Sequence, residues 1–325
     1  MKVRVLGRYM GALIAAVLAA SMPTPVAAQT DWPKGSVRII VPFPPGGAND
    51  TGARPYAEAL TRMFGQPFVI ENKGGAGGSV GLETVIRSKP DGYTYCMCGS
   101  TVISTTSNLR KVSYKAEDID AIAITAMYLS GLMISNKLPV SDLREFIAYA
   151  RANPGRSTYG SSGVGSPGEL RMKYLGLLTG TDMTHVPYNG NGPALADLLS
   201  GTTDSLIEVN GFPHVKAGKL KMIAMFTEER HPDFPDVPTM NELGYPAVNT
   251  PIWQGFYGPM GIPEEIRVKM HKAVSEISMQ PDLKARLLSI GFATRVIPLA
   301  EMRKFYLDDD ALYNKIIREA KITID

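Results

Sequence analysis

Cysteine is nearly absent: Cys96 and Cys98 are the only two in 325 residues. They alternate along a strand-like run, residues 93–98, which sets them on one face about 6.6 Å apart, whereas a disulfide needs its Cβ atoms roughly 4 Å apart. Two buried thiols are expected, and a scaffold stapled by disulfides is excluded. Histidine is scarce as well: His185, His214, His231 and His271 are scattered without metal-ligand spacing, so neither a metal centre nor a histidine base is expected. Long apolar runs are missing after residue 28, which leaves no membrane-spanning segment there.

An excess of one charge is also missing once the start of the chain is set aside. Lys2, Arg4 and Arg8 precede an apolar stretch at residues 11–20, and Val26-Ala27-Ala28 offers small residues to a signal peptidase. Residues 1–28 are expected to be a secretory signal cleaved near Gln29, since the stretch is too short for an anchor. Without the leader the 34 basic residues fall to 31, against 31 acidic ones. A neutral mature chain provides no basic groove for nucleic acid.

Glycine and proline are plentiful, 32 and 24, which suits many short loops between alternating strands and helices. The stretch from Val37 to Arg54 sets the pattern. A β-branched run, residues 37–41, reads as a buried strand, Pro44-Pro45-Gly46-Gly47 breaks it, and Asn49 or Asp50 is expected to cap the helix that follows. Glycines at such a turn let the backbone approach a ligand, and the free N–H groups of the first helical turn favour an anion, a carboxylate above all.

The unit recurs. Residues 67–71 form a strand, Gly74 to Gly78 a turn, residues 80–87 a helix and residues 93–98 a strand ending at Gly99-Ser100-Thr101. A mostly parallel sheet covered on both faces is predicted, with ligands at the carboxyl ends of its strands. Strands at residues 122–127 and 131–135 and a helix at residues 140–151 open a second set. It continues with Gly160 to Gly168 before a helix at residues 169–178, a strand at residues 184–188, the turn Asn189 to Pro193 and a helix at residues 194–199. Residues 203–209 and 219–226 complete it. The Pro-rich passage 230–251 reads as a crossing segment, residues 253–257 as a returning strand, and residues 263–278, 281–290 and 299–321 as helices. Two domains follow, a discontinuous one of residues 29–131 with 252–325 and a second of residues 132–251, an arrangement suited to hinge closure.

Catalytic patterns fit poorly. Gly163-Val164-Gly165-Ser166-Pro167-Gly168 matches G-x-G-x-x-G, but an exported protein meets little dinucleotide. Gly160-Ser161-Ser162-Gly163 is out of register with a nucleophile elbow. Asp308-Asp309-Asp310 reads as the solvated face of a charged helix.

Residues 41–50 (Val-Pro-Phe-Pro-Pro-Gly-Gly-Ala-Asn-Asp), Gly74 to Gly78, residues 90–94, residues 161–166 (Ser-Ser-Gly-Val-Gly-Ser), His185-Val-Pro-Tyr188, residues 193–195, residues 216–220, residues 235–239 and Gly244-Tyr-Pro246 match one family in order. The chain resembles the extracytoplasmic solute receptors of tripartite tricarboxylate transporters, the Bug or TctC-like family. The resemblance implies a two-domain α/β, type II periplasmic-binding-protein (Venus-flytrap) fold with a ligand cleft between domains. It implies a periplasmic, monomeric, non-enzymatic receptor without cofactor, delivering a small carboxylate to a two-component membrane permease. By position, Gly46, Gly47, Asp50, Ser100 and Thr101 should face the ligand. Ser162, Gly163, Ser166, Tyr188, Asn189 and Gly190 should close over it, with Glu208 in the second-domain wall. The chain departs from the family at Glu169, where His is frequent, at Glu208, where Asp is common, at Pro55 near a helix start, and in a slightly short segment 204–213. Two other readings remain: an exported enzyme acting on a small acid or ester, and a receptor for a membrane sensor.

Overall fold

The computed structural model describes residues 31–323; the expected leader and its cleavage point near Gln29 lie outside them. In chain order the elements are β1 (Val37–Val41), α1 (Ala48–Phe64), β2 (Phe68–Asn72), α2 (Ser79–Ile86), β3 (Thr94–Gly99), β4 (Ile119–Tyr128), β5 (Gly131–Ser135), α3 (Leu143–Ala152), β6 (Thr158–Ser161), α4 (Pro167–Thr179), β7 (Thr184–Pro187), α5 (Asn191–Ser200), β8 (Ser205–Glu208), α6 (Phe212–Lys216), β9 (Leu220–Met225), β10 (Trp253–Pro259), α7 (Glu264–Ser278), α8 (Pro281–Ser289), β11 (Phe292–Thr294) and α9 (Leu299–Glu319).

The strands form two sheets, six-stranded in the order β11-β4-β10-β3-β1-β2 and five-stranded in the order β7-β6-β8-β5-β9. β1 is covered on both faces, with Ile39, Ile40 and Val41 fully buried, which explains an uninterrupted β-branched run instead of alternation. Both sheets are mixed where a mostly parallel arrangement was predicted. β1 runs parallel to β2 and β3, but β10 lies antiparallel between β3 and β4. The cause is topological: β10 returns from the second sheet through residues 226–252, so it enters from the end at which β3 and β4 finish. Gly99 at the end of β3 admits it, since a Cβ there would stand 1.7 Å from the Trp253 carbonyl oxygen. Cys96 and Cys98 are free thiols in the buried centre of β3.

Local side-chain caps account for the starts of α3 and α4. Asp142 caps α3, accepting the Glu145 N–H at 2.7 Å, and Ser166 with Pro167 begins α4, two residues before the predicted start. α1 is an exception. Its N-cap is Gly47, not Asn49 or Asp50, because the Asp50 carboxylate reaches back to the Gly46 N–H and so belongs to the first turn.

Three elements escaped the sequence reading: α6, β11 and a helical stretch from Thr101 through Leu109 whose first part is wound more widely than an α-helix. Its Thr- and Ser-rich sequence has weak helix propensity. Side chains hold it instead: Thr106 Oγ1 donates to the Thr101 carbonyl at 2.9 Å, and Asn108 Nδ2 to the Ser104 carbonyl at 2.7 Å. Bonds to α9 complete it, Ser104 Oγ to Asp309 Oδ2 and Asn108 Nδ2 to Asp310 Oδ1, both 2.7 Å. This corrects the solvated reading of Asp308-Asp309-Asp310: Asp309 is buried and only Asp308 is exposed.

Candidate functional site

Three loops of the first sheet meet at the carboxyl ends of β1, β2 and β3. The loop from Pro42 to Gly47 turns through Gly46, whose φ of +79° lies in the left-handed region. Asp50 holds that turn. Oδ2 accepts from the Gly46 N–H and Arg54 Nε, both at 2.9 Å, and Oδ1 from Arg54 Nη2 and Asn72 Nδ2, both at 3.0 Å. Burial alone would raise its pKa, but the bonds from Arg54, Gly46 and Asn72 outweigh it, so the carboxyl titrates below its ordinary value. Asn72 also donates to the Phe43 carbonyl at 3.0 Å, and Thr106 Oγ1 to the Gly77 carbonyl at 2.9 Å. Ser100, fully buried, accepts the Trp253 N–H at 3.4 Å, and Thr101 opens the wide helical turn.

The second sheet repeats the design at the ends of β6 and β7. Gly163 N–H donates to Ser161 Oγ and Ser166 N–H to the Gly163 carbonyl, each at 3.1 Å. The neighbouring turn is tied on by Tyr188 N–H to the Ser161 carbonyl at 3.0 Å and Gly190 N–H to the Ser162 carbonyl at 3.3 Å. Tyr188 donates its hydroxyl to Asp197 Oδ2 at 2.6 Å, while Ser162 and Asn189 are exposed. Thus Gly46, Gly47, Asp50, Ser100 and Thr101 cluster at one set of strand ends, and Ser162, Gly163, Ser166, Tyr188, Asn189 and Gly190 at the other. No hydrogen bond or ion pair among the described residues joins the two sets. Glu208, at the end of β8, is buried; Oε1 accepts the Val209 N–H at 2.8 Å and the Asn210 N–H at 3.2 Å.

The tripartite tricarboxylate transporter family receptor pattern matches residues 53–322. The chain belongs to that family. Protein BugT of Bordetella pertussis is 32% identical over 311 residues, covering 93% of this chain and 94% of BugT. Among solved structures, Rpa4515 of R. palustris with adipate superposes with a TM-score of 0.82 at 30% identity, over 90% of this chain and 99% of that one. MatC from Rhodopseudomonas palustris with bound malate gives 0.77 at 30% identity, over 88% and 100%. The fold is the periplasmic-binding-protein fold of this family, with two α/β sheets.

In this receptor-family chain His185, read above as part of the family motif and not as a base, lies beside the second loop next to Ser161. His185 Nε2 is 2.7 Å from Ser161 Oγ, and Nδ1 is 3.2 Å from Glu169 Oε1, which also pairs with Lys173 Nζ at 2.8 Å. Residues 161 and 185 meet because β6 and β7 pair in parallel, with Tyr159 opposite His185, a register that sequence separation hides. Glu169 Oε2 accepts the Gly165 N–H. Burial would raise the pKa of this carboxyl, but bonds from His185, Lys173 and Gly165 hold it down to about 2. Glu169 therefore ties α4 to the loop that precedes it.

Two links join the sheets, residues 129–130 and residues 226–252, and Arg171 of α4 grips both. This arginine is 2% exposed, donates from Nη1 to Ser130 Oγ at 2.6 Å, from Nε to Thr250 Oγ1 at 3.2 Å and from Nη2 to the Thr250 carbonyl, and stacks 4.6 Å from the Phe226 ring centre. Burial pulls its pKa down to about 10, with the charges of Tyr313 and Asp309 opposing. A cavity of about 400 Å³ lies beside these links, lined by Tyr128, Phe226, Ile252 and Arg295 among others, and another of about 700 Å³ borders α4 and His185. Neither is lined by a residue predicted for the site.

Proposed function

We propose that the chain is an exported periplasmic receptor that binds a small carboxylate between two domains, residues 29–131 with 252–325 and residues 132–251. It hands the ligand to a two-component membrane permease of the tripartite tricarboxylate type. The observation that carries the reading is the pairing of like loops: α1 and α4 each begin at a strand end behind a glycine turn, and α1 has no side-chain cap, which leaves its first-turn N–H groups to an anion. Arg54 is tied to Asp50, so the ligand meets dipoles more than a full charge, which favours release. Relatives with adipate and with malate support the ligand class.

A second reading, an exported hydrolase, is favoured by the contact chain Ser161–His185–Glu169. Ser161 is 1% exposed and exchanges both hydrogen bonds with Gly163, so its oxygen lacks the open face that attack on a carbonyl demands. The network is better suited to shaping the loop. A third output, signalling to a membrane sensor, uses the same binding step.

Thermal unfolding of refolded, ligand-stripped protein against a panel of carboxylates tests the proposal. A ligand at one hundred times its dissociation constant adds about 2.7 kcal/mol of stability. A rise with one acid, without product formation, supports a receptor; turnover in the same wells supports the hydrolase. Loss of uptake on deleting the permease separates transport from sensing.

A further inference from the structure

Behind the proposed ligand loop at the end of β3 stands a buried acid without a counter-charge. Asp309 of α9 is 5% exposed and forms no ion pair with a described residue. Its Oδ2 accepts from Ser104 Oγ at 2.7 Å, and its Oδ1 takes no close hydrogen bond from a described residue. On α9 itself Asp310 adds a second negative charge, and the Tyr313 hydroxyl is committed to the Pro251 carbonyl at 3.2 Å. From β10 come the Trp253 indole N–H and the Tyr257 hydroxyl, both buried and both without a close partner. From α4 comes the charge of Arg171, whose N–H groups are already given to Ser130 and Thr250. Burial outweighs the rest and raises the Asp309 carboxyl to about 7.

Two routes lead from this carboxyl to the loop. Ser104 lies three residues after Thr101 in the widely wound stretch, about 4.5 Å of rise on an ordinary helix. Such wide turns recur at functional sites. Trp253, whose indole borders Asp309, gives its backbone N–H to Ser100 Oγ at 3.4 Å. The carboxyl therefore stands about 10 Å behind the N–H groups of Ser100 and Thr101. Arg54, the cation of the neighbouring loop, is paired with Asp50. Two negative charges about 10 Å apart, at an effective dielectric of about 20, oppose each other by roughly tenfold in an equilibrium constant.

We infer that carboxylate binding at this loop is coupled to protonation of Asp309, so that the receptor takes up a proton from solvent together with its anion. The inference rests on the receptor reading above. On the acid side of neutrality the carboxyl is already uncharged, and an arriving anion meets no repulsion. On the alkaline side the anion must bring a proton in with it, and affinity falls until the raised pKa of the complex is passed. The only bond made is the O–H bond at Oδ1; Oδ2 still accepts from Ser104, so the helical stretch keeps its anchor in both forms.

The test is calorimetric titration of the refolded protein with malate, adipate and benzoate, all ionised from pH 6.5 to pH 9, in two buffers of unlike ionisation enthalpy. The expected result is uptake of about half a proton per anion at pH 7.5, which is what a rise of one pKa unit from about 7 gives. Affinity should weaken roughly tenfold between pH 6.5 and pH 9. An infrared difference spectrum at pH 7.5 should show the carbonyl band of a protonated carboxyl on binding, a signature that a histidine taking up the proton would not give. Asp309→Asn, which keeps an oxygen for Ser104, should lose the band, the uptake and the slope. Binding without proton uptake, uptake without the band, or a band and slope that persist in Asp309→Asn overturns the inference and leaves the receptor reading intact. Failure of every acid in this set and in the thermal panel to bind overturns both. Wild-type calorimetry and the infrared band decide the matter even where the variant does not fold.

Discussion

Replacing Glu169 by glutamine should remove a pH-dependent part of the protein's stability. The carboxyl is 1% exposed, touches His185 and Lys173, accepts the Gly165 N–H, and titrates at about 2 in place of an ordinary 4.5. A carboxyl displaced that far downward contributes about 3 kcal/mol when ionised in both states. Because the folded value is the lower one, the contribution is fully present above pH 4.5 and is lost as pH falls towards 2. Glutamine keeps an acceptor for Gly165 but has no charge to offer Lys173. Urea unfolding of both proteins from pH 7 to pH 3 should therefore show wild type ahead by about 3 kcal/mol at neutrality, with the gap narrowing steadily below pH 4.5. A gap that stays constant with pH would refute the electrostatic account and leave packing as the cause. A second readout follows from position: the variant should bind its ligand more weakly, since Gly165 lies within the loop that precedes α4.

Other outcomes follow from the same contacts. Arg171→Ala should cost about 3–5 kcal/mol by urea unfolding, because it strands the Thr250 carbonyl and Ser130 hydroxyl in a buried link and opens a void. Asp309→Asn should stabilise the protein at pH 8 and matter little at pH 4: burial raises the Asp309 carboxyl to about 7, so the wild type loses stability as pH climbs from its ordinary 3.8 to that value. Gly46→Ala should destabilise by about 1–2 kcal/mol at a φ of +79° and weaken carboxylate binding, read by melting temperature and titration. Tyr188→Phe removes the 2.6 Å bond to Asp197 and should lower stability by about 1 kcal/mol with a small loss of affinity.

What the sequence disclosed was local. β1 and β5 have the boundaries read from their apolar runs, and Asp142 caps α3, whereas α4 begins at Pro167 behind Ser166 and not at the predicted residue 169. What it concealed depends on partners distant in the chain. The helical stretch after Ser100 is stabilised by α9, about 200 residues away, so its own composition points elsewhere. His185 gains its meaning only from the parallel register of β6 and β7. The antiparallel placement of β10 follows from its route back from the second sheet, and no periodicity within residues 253–257 records a direction. Asp50 shows a further limit: the spacing put a carboxylate at the helix start, but its four hydrogen bonds give it the duty of shaping the turn.

Arg171 also has a mechanical consequence. A residue that clasps both links lies close to whatever axis the second sheet turns about, and Ser166 is only five positions away along the chain, about 7 Å of helix. A rotation of about 20° would then carry the start of α4 through only about 2–3 Å, whereas the far edge at β9 would sweep a wider arc. On the hinge closure proposed above, this short lever would move the start of α4 through a small arc while the outer surface of the second sheet travels further.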